Sequence, residues 1–274
     1  MTSFIRLTDF SKEELFEIFK IADSMEQYSS FLVGKTIVMF FPASSIRTRV
    51  TFEKGISLLG GQVILFDPTV LDKKEDVRDV CGYLNNWADA VVVRYKDIHM
   101  LEKMNNAMDI PVINALTDDN HPCEMMSDLY ALSKIRPEFM HDEYLFVGAD
   151  GNIGRAWKEA SKAFGFSLAQ CCPDNYRIDG LPQFSKIEEA IIGKDIVCTD
   201  SIPAEARKDF KLCQITKEIM SLANCNALLN PCPPFYRGEE LSEDVINTEY
   251  FVGYKFKKSL LEVQQAIIIY CMTH

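Results

Sequence analysis

The feature that most constrains this chain is an alternation. Short runs rich in Val, Ile and Phe recur between longer stretches whose apolar residues fall three and four positions apart. KTIVMFF (35–41), QVILFD (62–67), ADAVVVRY (88–95) and IPVINAL (110–116) read as buried strands, and the stretches between them, FEKGISLLG, DVRDVCGYLNNW and IHMLEKMNNAM, read as helices. A helix also precedes the first strand, with Ser11 as its N-cap. Strands joined through helices form a parallel sheet covered on both faces, and such sheets take ligands at the carboxyl ends of their strands.

Past residue 136 the pattern restarts with EYLFVG, RAWKEASKAFG, SLAQCC, SKIEEAIIG, DIVCTD and NALLN. The fold expected is therefore α/β, with two doubly wound parallel-sheet domains at 1–135 and 136–257. A last apolar helix, 258–274, has no domain left to seed and returns to the first. A length of 274 residues suits two domains. No run approaches the ~20 apolar residues of a membrane span, and the start, MTSFIRLTDF, lacks the pattern of a signal peptide. A cytoplasmic protein without membrane contact is expected.

Charge and cysteine usage narrow the chemistry. The net charge of −11, with no basic window, argues against nucleic acid, so an anion site must be a local cluster of Arg and Lys. Nine Cys without CxxC pairs read as reduced thiols. The four His have no ligand-like spacing to Cys, so no metal is expected, and no organic cofactor is implied.

The residues able to do chemistry sit at predicted strand ends. After the first strand, Phe41-Pro-Ala-Ser-Ser-Ile-Arg-Thr-Arg49 sets the hydroxyls of Ser44, Ser45 and Thr48 beside Arg47 and Arg49 at a helix start. Free N–H groups and the positive end of the helix dipole favour an oxyanion there, and a guanidinium can grip phosphate through two hydrogen bonds. The plainer reading is a capped helix whose arginines are solvated or paired with Glu53. Arg94 ends the third strand, and His121 to Glu124 follow the fourth.

Taken together these segments resemble the aspartate and ornithine carbamoyltransferase family. Ser45-Ile-Arg-Thr-Arg49 is similar to its carbamoyl phosphate signature, His121-Pro-Cys-Glu124 to its His-Pro-x-Gln motif, and Asn230-Pro-Cys-Pro-Pro-Phe-Tyr-Arg237-Gly-Glu-Glu to its His-Cys-Leu-Pro and Arg-Gly-Glu-Glu region. The ending, Glu262-Val-Gln-Gln-Ala-Ile, is similar to the family's closing helix. The resemblance spans nearly the whole chain, which is short for the family.

It implies that an uncharged amine attacks carbamoyl phosphate and expels phosphate. Carbamoyl phosphate is to be held by Ser45, Ile46, Arg47, Thr48, Arg94, His121, Glu124 and Arg237. Of these, Arg94, His121, Thr48 and Arg237 act as catalytic residues. The acceptor, an amino acid related to ornithine, is assigned to Asp200, Arg155, Asn152, Pro231 and Cys232. The family also implies a homotrimer in which Lys73 reaches a neighbouring subunit's site; a charged surface turn is the plainer reading of Lys73.

Departures from the family pattern leave other outcomes open. Ile46 stands where the family has Thr, Glu124 where it has Gln and Asn230 where it has His, and one extra residue separates Pro233 from Arg237. Two unit charges about 5 Å apart at an effective dielectric near 20 interact by roughly 3 kcal/mol. Glu124 beside a phosphate therefore needs a compensating cation, and the sequence offers Arg94, Arg237 or the acceptor's own ammonium. One alternative is a binding or regulatory protein that has lost the chemistry. Another is a dinucleotide-binding oxidoreductase, read from Gly148, Gly151 and Gly154 after a strand, with Asp174 ending the next.

Overall fold

Each of the two repeating patterns forms its own wholly parallel sheet. In the computed structural model of the protein, which describes residues 1–274, the chain divides into two units: Met1–Ala131 with Lys257–His274, and Leu132–Phe256.

The first unit runs α1 (Lys12–Ala22), β1 (Thr36–Phe40), α2 (Arg47–Leu58), β2 (Gln62–Phe66), α3 (Val77–Leu84), β3 (Ala90–Arg94), α4 (Ile98–Ala107), β4 (Val112–Leu116) and α5 (Pro122–Ile135), the last of which continues across the division. Its sheet has the order β2-β1-β3-β4. β1, β3 and β4 are buried along nearly their whole length, whereas the edge strand β2 alternates between exposed and half-buried positions. That difference follows the sequence: AVVVR has no polar residue before its last position, while QVILF begins on one. α1 starts where predicted, because the Ser11 hydroxyl accepts from the Glu14 N–H and the Glu14 carboxylate accepts from the Ser11 N–H.

The second unit runs β5 (Glu143–Val147), α6 (Asn152–Phe164), β6 (Ser167–Cys171), β7 (Gln183–Phe184), α7 (Ile187–Ala190), β8 (Ile196–Thr199), α8 (Lys217–Met220) and β9 (Leu228–Pro231), with strand order β7-β6-β5-β8-β9. β7 has too few residues to show a period. It is held by the buried Gln170, whose Oε1 accepts from Gln183 Nε2 at 2.9 Å and from the Ile178 N–H at 2.7 Å.

α9 (Ser259–Thr273) belongs to the first unit and packs on α1 and α2, as its uniformly apolar sequence requires. Gln265 Nε2 donates to the Gly55 carbonyl at 2.9 Å, and the Tyr270 hydroxyl to Glu14 at 3.2 Å. No helix is long and apolar enough to cross a membrane.

In both sheets the order reverses once. In the first, the chain passes from β1 outward to β2 and then returns to place β3 on the other side of β1, so the loop after β1 and the end of β3 flank a switch point. In the second, the reversal lies between β5 and β8. Every residue singled out in the two strand-end clusters of the first unit lies at the carboxyl side of its sheet.

Candidate active site

β1 delivers the chain into a turn in which the Ser45 N–H bonds to the Pro42 carbonyl, and α2 begins two residues later. Its N-cap position, Ile46, supplies no side-chain acceptor, so no side chain caps the first N–H groups of α2. Such a helix start favours an anion. Ser45 and Thr48 are buried there, while Arg47 and Ile46 are exposed. Arg94, carried in from the end of β3 past a register shift against β4, donates from Nη1 to Ser45 Oγ at 2.9 Å. Arg49 pairs with Glu53 at 2.6 Å, as the plainer reading had it. Beside Arg94 an open cleft of about 400 Å³ is lined by Pro42, Asp72, Lys96 and Asp118 among others. Lys73 is exposed just past the 3-10 turn Pro68–Asp72.

A second loop places the histidine. Asn120, fully enclosed, ties 114–120 together: its Oδ1 accepts from Asn114 Nδ2 at 2.7 Å and from Thr117 Oγ1 at 3.1 Å. That turn sets His121 immediately before α5, with its Nδ1 buried and without a hydrogen-bond partner. Burial, reinforced by Arg94 and Lys257, pulls the imidazole down to about 4 despite the opposing pull of Glu124, so it is neutral at neutral pH.

One turn into α5, Glu124 is 5% exposed and Asp128, four residues on, 2%. Lys257 Nζ donates to Glu124 Oε1 at 2.7 Å and to Asp128 Oδ1 and Oδ2 at 2.6 and 2.8 Å. Burial pushes the Glu124 carboxyl up, yet the cations around it, Lys257 above all, more than offset this and leave it below the ordinary value. The cation bonded to Glu124 is thus Lys257, a residue beyond the Arg94, Arg237 and acceptor ammonium that the sequence offered. Sequence reasoning missed Lys257. Two acids one turn apart on a helix as apolar as CEMMSDLYAL were the signal that a buried cation was needed.

In the second unit, Asp200 follows β8, and the end of β9 brings Pro231 and Cys232 alongside, the Cys232 N–H bonding to the Thr199 carbonyl at 2.9 Å. Burial raises the Asp200 carboxyl to about 6, the hydrogen bonds from Ser201 offsetting only part. Asn230 is buried with its Oδ1 unpartnered. Asn152 opens α6, and Arg155 on its first turn grips Asp150 with two hydrogen bonds of 2.6 and 2.9 Å. That guanidinium is therefore already matched to a carboxylate. Arg237 is exposed, its Nη2 3.4 Å from the Tyr254 hydroxyl.

Two of the three glycines read as a dinucleotide turn, Gly148 and Gly154, serve the unit's own packing. A Cβ on Gly154 would lie 2.5 Å from Ile178 Cδ1 and 2.6 Å from Phe146 Cε1, and one on Gly148 2.7 Å from the same Phe146 ring. They admit that ring between β5 and α6. Asp174 is occupied by Arg177 and Ser185.

Two family models match in the chain's own order. Residues 2–134 match the aspartate/ornithine carbamoyltransferase carbamoyl-P binding domain, and residues 142–271 the Asp/Orn binding domain. The chain belongs to the aspartate/ornithine carbamoyltransferase family. Among curated family members, an ornithine carbamoyltransferase of Hydrogenovibrio crunogenus is 32% identical, covering 98% of this chain and 97% of the relative, and one of Campylobacter fetus is 31% identical over 99% and 98%. Among solved structures, the ornithine carbamoyltransferase of Burkholderia thailandensis superposes with a TM-score of 0.92 at 26% identity, covering 99% of both chains. That of Pyrococcus furiosus reaches 0.93 at 24% identity, covering 99% of this chain and 97% of the other, and there the likeness is one of fold. This carbamoyltransferase thus keeps nearly the full length of its relatives while carrying an acid, Glu124, at a position where the family motif has an amide.

Proposed function

We propose that this carbamoyltransferase moves the carbamoyl group of carbamoyl phosphate to the side-chain amino group of ornithine or a close relative. The observation that carries the reading is the convergence, in the first unit, of an uncapped helix start, the Ser45–Arg94 contact and a neutral His121. The relatives named above support the acceptor.

In this reading the phosphate is held by Ser45, Arg47, Thr48 and the N–H groups at the start of α2, with Ile46 contributing its backbone alone. The amine, uncharged, attacks the carbonyl carbon, and negative charge develops on the carbonyl oxygen; as the carbonyl re-forms, the bond to the phosphate oxygen breaks and the proton of the attacking nitrogen passes to the leaving phosphate. Arg94, Thr48 and His121 supply hydrogen bonds to that oxygen as charge builds. A neutral imidazole suits the task, because it donates an N–H without adding a charge that would hold the leaving phosphate. Glu124 accepts from the carbamoyl NH2. Asp200 takes the acceptor's free ammonium, with Asn152, Pro231 and Cys232 beside it, and Arg237 assists at the donor. Arg155 is bound to Asp150 and serves the acceptor carboxylate only if that pair opens.

Phosphate release from carbamoyl phosphate, assayed against ornithine and a panel of amines and amino acids with detection of the carbamoylated product, tests the reading. Release that depends on an ornithine-like acceptor supports it. Donor binding without turnover on any amine overturns it in favour of a binding protein.

We further infer a cytoplasmic homotrimer. Eight buried thiols suit a reducing compartment. Exposed apolar groups on the first unit, Ile64 and Phe66 on the edge strand and the stacked Tyr83 and Trp87, suit burial against another copy. If Lys73 serves a neighbour's site, mixing Lys73→Ala and Arg94→Ala proteins restores activity. An active monomer in light scattering refutes the assembly.

A further inference from the structure

Charge closes in on Glu124 from three elements. Asp128 lies one turn along the same helix, and His121, itself acted on by Arg94 from β3, stands at its start; Arg47 comes from α2, and Lys257 from the segment before α9. Of the cations, Lys257 alone is bonded to both acids. Its ammonium, with three N–H donors, makes contacts of 2.7 Å to Glu124 and of 2.6 and 2.8 Å to Asp128. The side chains of Lys257, Glu124 and Asp128 are 19%, 7% and 2% exposed, so water screens the group weakly.

The arithmetic of charge is simple. Two carboxylates and one ammonium leave a single negative charge, and the contacts spread it over both acids. Glu124 is bonded through Oε1 only, which leaves Oε2 as an acceptor. A glutamine amide in the same place would both donate and accept, whereas an ionised carboxylate only accepts. Glu124 therefore suits an NH2 group, provided that it stays ionised in a buried place and does not repel the phosphate a few ångströms away. Burial alone would defeat the first condition by protonating the carboxyl, and an ionised carboxylate without a cation would defeat the second.

We propose that Lys257 is a positioning residue for the donor: it holds Glu124 ionised, with Oε2 turned over to the carbamoyl NH2, and offsets one of the two negative charges that would otherwise drive the phosphate away. The inference rests on the carbamoyl phosphate reading given above. It assigns the tolerance of an acid at position 124 to a residue 133 positions away in sequence, on the segment that joins the end of the second unit to α9.

The test is the affinity of the full chain for carbamoyl phosphate, by calorimetry between pH 5.5 and 8, in wild type, in Lys257→Met, and in the neutral triple variant Glu124→Gln/Asp128→Asn/Lys257→Met. Lys257→Met is expected to bind at least tenfold more weakly at pH 8, because two buried carboxylates then stand unopposed. Its deficit relative to wild type shrinks as pH falls, since a carboxyl that has lost its cation takes up a proton at higher pH; the ratio to wild type cancels the donor's own titration. The triple variant, which has no charge to compensate, returns to within about threefold of wild type or better. A structural role alone gives a deficit that neither varies with pH nor recovers in the triple variant, and either result overturns the proposal, as does wild-type affinity in Lys257→Met. If Lys257→Met does not fold, the triple variant decides: recovered affinity supports the proposal and lost affinity refutes it. Wild type that fails to bind the donor at millimolar concentration sinks the functional reading and this inference with it, whereas the other failures strike Lys257 alone.

Discussion

Arg94 Nη1 lies 2.9 Å from Ser45 Oγ, so a guanidinium at the end of β3 and a hydroxyl at the start of α2 are already joined at the switch point of the first sheet. The pairing orients a charge and a hydroxyl toward the same space before any ligand arrives, which lowers the ordering cost of binding.

Arg94→Ala is expected to weaken carbamoyl phosphate binding by at least tenfold, since hydrogen bonds to charged groups contribute about 1.5 to 3 kcal/mol. Arg94→Lys should recover little, because a single ammonium cannot serve Ser45 and a planar ligand together as a forked guanidinium can. Calorimetry on both variants checks this; equal affinity in wild type and Arg94→Ala removes Arg94 from the donor site.

His121 gives a prediction about stability. Its pKa falls from an unfolded value near 6.5 to about 4 in the folded chain, so between those values the unfolded state binds the extra proton. Stability therefore rises with pH across that window and is lost as pH falls from 6.5 toward 4, by roughly 3 kcal/mol in all. His121→Gln should flatten that part of the stability profile in denaturant titrations. In proton NMR the His121 ring should stay neutral at pH 6, whereas the exposed His99, raised by its bond to Glu102, should already be charged. An ordinary titration of His121 near 6.5 contradicts the buried, neutral assignment.

The fold was legible because its signals are local: a cap such as Ser11, buried runs such as AVVVR, and the helix–strand alternation each report on a few neighbouring residues. The strand-end positions of Ser45, Arg94 and His121 followed from that pattern. Lys257 did not, because a cation in a KFKK run gives no sign of which buried acids it meets 133 and 129 positions away. The two bonds of Arg155 to Asp150 were not legible either. β7 has two residues and owes its place to a buried glutamine, which no periodicity reports.

Gly154 separates a packing role from a nucleotide role. A methyl there meets Ile178 and Phe146 at about half a van der Waals radius too close, and overpacking of this kind costs typically about 1–3 kcal/mol. Gly154→Ala should lower the thermal midpoint of the protein, while Gly151→Ala, whose Cβ would have only a carbonyl oxygen at 3.9 Å, should leave it nearly unchanged. Equal midpoints for wild type and Gly154→Ala would show that this approach can relax at little cost.

Asp200 carries the last prediction, on the acceptor. Burial raises its carboxyl to about 6, so below that pH it is largely neutral and above it is an anion able to attract an ammonium group. Acceptor affinity should accordingly rise as pH passes upward through 6. Binding of an ammonium adds a favourable partner to the charged form, so the carboxyl's pKa must fall in the complex and a proton be released near pH 6. Turnover is a poor gauge of this, because the attacking amine must lose its own proton and that dependence runs in the same direction. An acceptor analogue in which a methyl group replaces the attacking amine avoids the ambiguity. Its affinity at pH 7.5 should exceed that at pH 5 by about tenfold, and calorimetry in buffers of different ionisation enthalpy should register the released proton. Asp200→Asn should abolish both the pH dependence and the proton release and weaken binding by about ten- to a hundredfold, the size expected for a hydrogen bond to a charged group, while donor affinity stays as in wild type. Analogue binding that is flat from pH 5 to 8 in wild type, or unchanged in Asp200→Asn, assigns the ammonium to another group.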